Sequence, residues 1–169
     1  WAYATLTVRN CPLLDAIAAA SLRQLPAFNS QDMSNTAWAM AVLMLPNAPL
    51  LTALAAAAIS KSLHWTPSGL ANTAWACAPL AFAAPPLLAS LSASASTTMR
   101  QFRSQELSNL AWAVATLQYA HAPLLQSISA AAIPKLVAFE PQHLANTAWA
   151  FASLACEDGP LLNSIYASA

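Results

Sequence analysis

The chain is 169 residues long, 58% apolar and 7% charged, and its six Lys+Arg are balanced by six Asp+Glu. Globular chains carry about 25% charged residues, so this one is too apolar for intrinsic disorder and too neutral for a strongly basic nucleic-acid domain. Cys11, Cys77 and Cys156 form neither a CxxC pair nor an even set, which argues against a disulfide framework or a zinc module.

A tandem repeat accounts for the composition. Tryptophans recur at positions 1, 38, 75, 112 and 149, every 37 residues, and Trp65 shares a second column with Phe28, Phe102 and Phe139. Asn35, Asn72, Asn109 and Asn146 each precede a tryptophan by three residues, and Met33, Leu70, Leu107 and Leu144 form another column. Pro12, Pro49, Pro86, Pro123 and Pro160 are each followed by Leu-Leu. The chain therefore divides into a truncated repeat 1–11, repeats 12–48, 49–85, 86–122 and 123–159, and a truncated repeat 160–169, all in one array.

Each repeat reads as two helices. The first opens on the proline, which suits a first helical turn because its missing N–H costs nothing there. Its apolar positions, such as 50, 51, 54 and 58, step by three and four, the helical period. The second helix begins near Asn29-Ser30, Thr66-Pro67, Arg103-Ser104 or Glu140-Pro141, and three of these four junctions offer a Ser, Thr or Asn as a cap. It continues to about Leu43, Leu117 or Leu154. Two prolines interrupt the pattern: Pro79 should end or kink its second helix, and Pro134 should shorten its first. The expected fold is all-α, a right-handed α-solenoid of stacked helix-turn-helix repeats.

The apolar stretches 62–99 and 107–134 are long enough to suggest membrane. Each is two short helices broken by a proline turn, and a 15-residue helix spans only about 22 Å of a hydrocarbon core about 30 Å thick. No membrane span is expected. Because the chain opens at Trp1 and stops at Ala169 in mid-helix, further repeats or partner proteins are expected at both ends.

The run Phe139-Glu140-Pro141-Gln142-His143-Leu144-Ala145-Asn146-Thr147-Ala148-Trp149-Ala150 resembles the signature of the octotricopeptide repeat family, Pro-Gln-x-Leu-Ala-Asn-x-x-Trp-Ala after a Phe. The runs from Ser30 to Trp38 and from Ser104 to Trp112 are similar, while Pro67 to Trp75 departs with Ser68 in the Gln position. The period equals that of the related heptatricopeptide repeats. The resemblance covers essentially the whole chain. It implies a helical-repeat RNA-binding protein of a chloroplast or mitochondrion, acting in RNA processing, stability or translation.

The repeating Trp and Asn columns read as packing residues: Trp between units, and a buried Asn bonding the backbone of a neighbouring helix to set register. Columns that vary are better candidates for recognition. On the first helix, Asp15, Thr52, Ala89, Gln126 and Asn163 occupy one column, beside a small one of Ala16, Ala53, Ser90, Ser127 and Ser164. One changing polar side chain per unit is what one-base-per-repeat reading requires; a plain solvent face would drift in the same way. Asp15, Thr52, Gln126 and Asn163 are thus the candidate base contacts. Arg23, Lys61 and Lys135, near the ends of the first helices, are the candidate phosphate contacts, although cations there also complement the helix dipole.

His64, His121 and His143 are isolated in frame, and no catalytic or metal-ligating constellation appears. The reading is a non-enzymatic chain without cofactor or metal, whose partner is single-stranded RNA, an organellar transcript or rRNA. Its rival is a protein–protein scaffold subunit of a large organellar assembly such as a ribosome or photosynthetic complex.

Overall fold

The computed structural model describes residues 2–6, 10–61 and 65–168; Trp1 and His64 lie outside them. Among the described residues every regular element is helical: α1 (Ala2–Thr5), α2 (Cys11–Gln24), α3 (Ser30–Val42), α4 (Ala48–Ser60), α5 (Pro67–Cys77), α6 (Pro85–Thr98), α7 (Ser104–Thr116), α8 (Ala122–Ala132), α9 (Pro141–Ser153) and α10 (Gly159–Ser168). The even-numbered helices begin 37 residues apart, and α3, α5, α7 and α9 do the same. None of the described helices is long and apolar enough to cross a membrane.

Each helix start has a local cause. The first helices begin one residue before the repeating proline, so the residue before that is the N-cap. Asn10, Asn47 and Asp158 accept there from the N–H groups of Leu13, Leu50 and Leu161 at 3.0–3.2 Å. His121 does so through Nδ1, from Leu124 N–H at 3.2 Å. Ala84 holds the equivalent place with the same extended backbone and no side-chain bond.

At the second helices, only two of the three expected caps form. Asn29 caps Asp32 N–H at 2.9 Å and Thr66 caps Gly69 N–H at 3.1 Å. At α7 the cap position falls on Arg103 rather than Ser104. A cationic side chain cannot accept a hydrogen bond, so only the reciprocal half of the capping box forms there: Glu106 Oε2 receives Arg103 N–H at 2.8 Å, as Asp32 Oδ2 receives Asn29 N–H at 3.0 Å. His143 Nδ1 receives Glu140 N–H at 3.2 Å in the same way.

Gly69 has a packing reason. A Cβ there would stand 3.0 Å from Cε3 of the buried Trp65. The other units have Phe in that column and carry Asp32, Glu106 or His143 at the glycine's position. The larger indole removes the side chain opposite it.

The second helices stop on one repeated turn. Met44, Ala81, Gln118 and Ala155 take left-handed φ values of 49–55°. The next residue, Leu45, Phe82, Tyr119 or Cys156, donates back to the carbonyl five residues earlier at 2.8–2.9 Å. This six-to-one bond is the Schellman closure. Pro79 acts as expected: α5 ends at Cys77, and Ala78 N–H reaches only Trp75 O, three residues back. Pro134 likewise ends α8 early, in the 3-10 turn Ile133–Ala138.

The helices pack in two layers around one core that runs from Ala18 to Ile165. The Pro-Leu-Leu anchors and the residue one turn on, among them Leu50, Leu54, Leu87, Leu91, Leu124 and Ile128, are buried on the inner side of the first helices. Facing them are Met33, Leu70, Leu107 and Leu144 of the second helices. Within the second-helix layer, small side chains fill the contacts: Ala37 and Ala41 pack with Ala76, and Ala74, Ala111, Ala113, Ala150 and Thr147 are fully or nearly fully buried. Small contact residues bring helix axes to the near end of the usual 8–10 Å range. Accordingly α3, α5, α7 and α9 lie backbone against backbone, whereas α2, α4, α6 and α8 touch far more sparsely.

The Asn column does not occupy the place expected for it. Asn35, Asn72, Asn109 and Asn146 are half-buried. The one hydrogen bond among the described residues that involves them comes from Gln31 Nε2 to Asn35 Oδ1, 2.8 Å, within α3. Small neighbours hold the helices together without an amide between them, so the amide is left at the surface.

Two substitutions in one turn test these local assignments. Ala84→Asp supplies the cap that its siblings have and should raise stability by about 0.5–2 kcal/mol. Ala81→Gly relieves the left-handed strain and should add about 0.5–1 kcal/mol. Both are read by urea denaturation, and an unchanged midpoint would refute the corresponding assignment.

Candidate nucleic-acid interface

Each first helix hands over to a second helix at the same edge of the array, and the described cations gather there. Arg23 ends α2, Lys61 follows α4, Arg100 and Arg103 lie between α6 and α7, and Lys135 follows α8. The N-termini of α3, α5, α7 and α9 open at this edge, adding the partial positive charge of their free N–H groups. Asp32, Glu106 and Glu140 stand at the same edge, at the starts of α3, α7 and α9, while Glu157 and Asp158 lie in the turn at the opposite edge, between α9 and α10.

The five cations are not equivalent. Lys61 Nζ donates to Pro26 O at 2.9 Å and to Phe28 O in the preceding unit. Lys135 Nζ repeats the arrangement 74 residues later, donating to Arg100 O at 2.8 Å and Phe102 O at 2.7 Å. Both are half-buried and tie one unit to the next. Thr98 occupies the lysine column in the unit between and turns back to Ser94 O instead. There, Ser68 Oγ to Glu106 Oε1 links α5 with α7. Arg23, Arg100 and Arg103 are exposed and form no ion pair among the described residues.

The outer side of the first helices carries the predicted base contacts. Asp15 on α2, Thr52 on α4, Gln126 on α8 and Asn163 on α10 are all exposed and share one register. Beside them, Ala53, Ala56 and Ala57 leave a shallow groove of about 430 Å³ against Leu22 and Leu25, with Lys61 at its end.

The second-helix layer presents a different outer face. A side chain at the second position, the amide four residues on, and the tryptophan three beyond that lie along one side of each helix. The stripes are Gln31-Asn35-Trp38, Ser68-Asn72-Trp75, Gln105-Asn109-Trp112 and Gln142-Asn146-Trp149. Trp38, Trp75 and Trp112 are half-buried, and Trp149 is 47% exposed. Trp75 and Trp112 meet across the α5–α7 boundary with ring centroids 6.2 Å apart and planes tilted by 30°. Trp75 and Trp112 therefore pack between units, as their spacing implies, and all four tryptophans keep part of their surface exposed. That exposure had no sequence signal, because an indole among alanines reads as core.

Burial pushes the Cys77 thiol up to about 12, so it keeps its proton at neutral pH. Cys156 is also raised, by partial burial and then by the charge of Asp158. No three His, Cys, Asp or Glu side chains among the described residues converge on a point where they could hold a metal ion. His121 and His143 are engaged as caps; His121 also stacks on Tyr119 at 5.5 Å, and His143 meets Phe139 edge-on at 6.1 Å.

Residues 1–122, including the stripes through Trp38, Trp75 and Trp112, match the family model for the RNA-editing substrate-binding complex 6 protein, RESC6. The chain belongs to this family. No curated protein matches it.

The lysine arrangement makes a test within this RESC6-family chain. Lys135→Met should lower stability by about 1.5–3 kcal/mol, the scale of hydrogen bonds from a charged donor. Thermal melting reads it. An unchanged melting temperature together with weakened polyanion binding would return Lys135 to the phosphate role.

Proposed function

We propose that this chain is the repeat array of an RNA-binding protein of the mitochondrion, acting within an RNA-processing assembly. The observation that carries the reading is the match to the RESC6 family, whose described name places it in an RNA-editing substrate-binding complex. Three features support it: helix pairs recurring every 37 residues, exposed arginines and second-helix N-termini sharing one edge, and tryptophans along the adjoining face, half-buried at 38, 75 and 112 and exposed at 149. In this reading the helix pairs stack as a right-handed α-solenoid, a shape that offers extended surfaces to long ligands. The Asn-x-x-Trp core makes kinship with the octotricopeptide and heptatricopeptide repeats part of the same proposal. The chain carries no catalytic role and needs no cofactor.

A scaffold role draws support from one observation. With Lys61 and Lys135 bonded to carbonyls, this segment keeps little free positive charge. Salt dependence separates the two readings. Replacing Arg23, Arg100 and Arg103 together by Gln in the full-length protein should reduce the slope of log affinity against log salt by about 2, at ~0.7 per phosphate contact on a single strand. Filter binding to a single-stranded RNA across a salt series measures it. Absence of RNA binding at every salt concentration, with retention in a protein assembly, would favour the scaffold.

A further inference from the structure

We infer that the second-helix face, with its Asn–Trp stripes, is the surface on which single-stranded RNA lies, its bases stacked against Trp38, Trp75, Trp112 and Trp149. The inference rests on the RNA-binding reading above and names the site of contact.

Three observations carry it. First, apart from the Gln31–Asn35 and Ser68–Glu106 bonds, the Asn and Trp polar atoms of these stripes are unspent. Among the described residues, no hydrogen bond engages the amides of Asn72, Asn109 and Asn146 or the indole N–H of the four tryptophans, whereas Trp65, in the buried column, directs its own N–H at Ala58 O. Buried Trp N–H groups usually have a partner; here the half-exposed ones are left for solvent or a ligand. Second, the stripe recurs with the same Asn and Trp in four units, while residues of the outer first-helix column change from unit to unit. An aromatic face with an amide one turn away offers both stacking and a donor–acceptor pair for a base edge. Third, the stripes begin at the edge where the exposed Arg23, Arg100 and Arg103 lie among Asp32, Glu106 and Glu140, with Gln31, Gln105 and Gln142 in the first turn of their helices. A strand following that edge with its phosphates would lay its bases toward the tryptophans.

Curvature acts in the same direction. The second helices meet more extensively than the first, so a solenoid built of these pairs would bend toward the second-helix side and carry the stripes on its inner surface. The 6.2 Å between the Trp75 and Trp112 rings is less than two rises of stacked bases, at ~3.4 Å each, a step that one nucleotide spans. Repetition of one Asn and one Trp in every unit gives the same reading at each step. The expected preference is therefore for a uniform tract over a mixed sequence.

The test uses the full-length protein with 20-nucleotide rU, rA and rC homopolymers and a mixed-sequence RNA of equal length. Binding of the preferred homopolymer should quench indole fluorescence, which contacts to phosphate alone would not do. Trp112→Leu should weaken binding roughly fivefold or more, the scale of one base–aromatic stack. The triple variant Asn72→Ala, Asn109→Ala, Asn146→Ala alters half-exposed side chains and keeps the test valid if Trp112→Leu fails to fold. It should weaken binding and erase the homopolymer preference, while Gln126→Ala with Asn163→Ala on the opposite face should leave both unchanged. Loss of binding in the Gln126/Asn163 variant, with the asparagine variant unaffected, would overturn the inference and leave RNA binding standing. Binding without quenching would also overturn it. No binding of any RNA would remove the RNA-binding reading itself.

Discussion

The contact between successive second helices sets the geometry on which the rest of the molecule depends. Ala37, Ala41 and Ala76 at one junction, and Ala111, Ala113 and Ala150 further along, bring these helices together with almost no side chain between them. Larger residues are thereby excluded from the contact and collect on the two remaining sides. Met33, Leu70, Leu107 and Leu144 face the first helices and complete the core. The asparagines and tryptophans are turned outward. The low charge of the chain follows from the same arrangement, since a helix covered on three sides by protein has few positions that tolerate an unpaired ion.

The connections hold this packing in register and tolerate local faults. Every described second helix closes on the same left-handed residue and six-to-one hydrogen bond, although none of the four positions is glycine. A non-glycine residue costs about 1–2 kcal/mol in that conformation, offset by satisfaction of the terminal carbonyls and by packing of the following helix. Pro79 leaves α5 two residues shorter than its siblings and Pro134 shortens α8 by two or three, yet the next helix starts on schedule in each case. The faults stay local because each unit is anchored by neighbours on both sides rather than by its own length alone.

The two broad faces differ in chemistry. The outer side of the first helices is small, polar and variable, with Asp15, Thr52, Gln126 and Asn163 in one register and alanines beside them. The second-helix side is aromatic and uniform, and it adjoins the edge where Arg23, Arg100 and Arg103 are free. Membership of the RESC6 family goes with an edge of mixed charge, where Arg23, Arg100 and Arg103 lie among Asp32, Glu106 and Glu140.

The sequence by itself determined what depends on local spacing. Tryptophans and prolines every 37 residues located the units, the three-and-four stepping of leucines identified the buried side of each first helix, and Pro79 and Pro134 marked the helices that end early. Those properties arise within a single helix or turn, so the order of residues carries them. Caps were legible only where the acceptor stood at the junction itself, as at Asn29 and Thr66; Glu106 and His143 act from three residues inside the helix. Tertiary structure alone decided which columns reach the surface and where long side chains end. Asn109 and Trp112 are only half-buried because the neighbouring helix meets theirs through small side chains. Lys61 and Lys135 became ties between units because carbonyls 33 and 35 residues away come within reach only once the helix pairs have stacked.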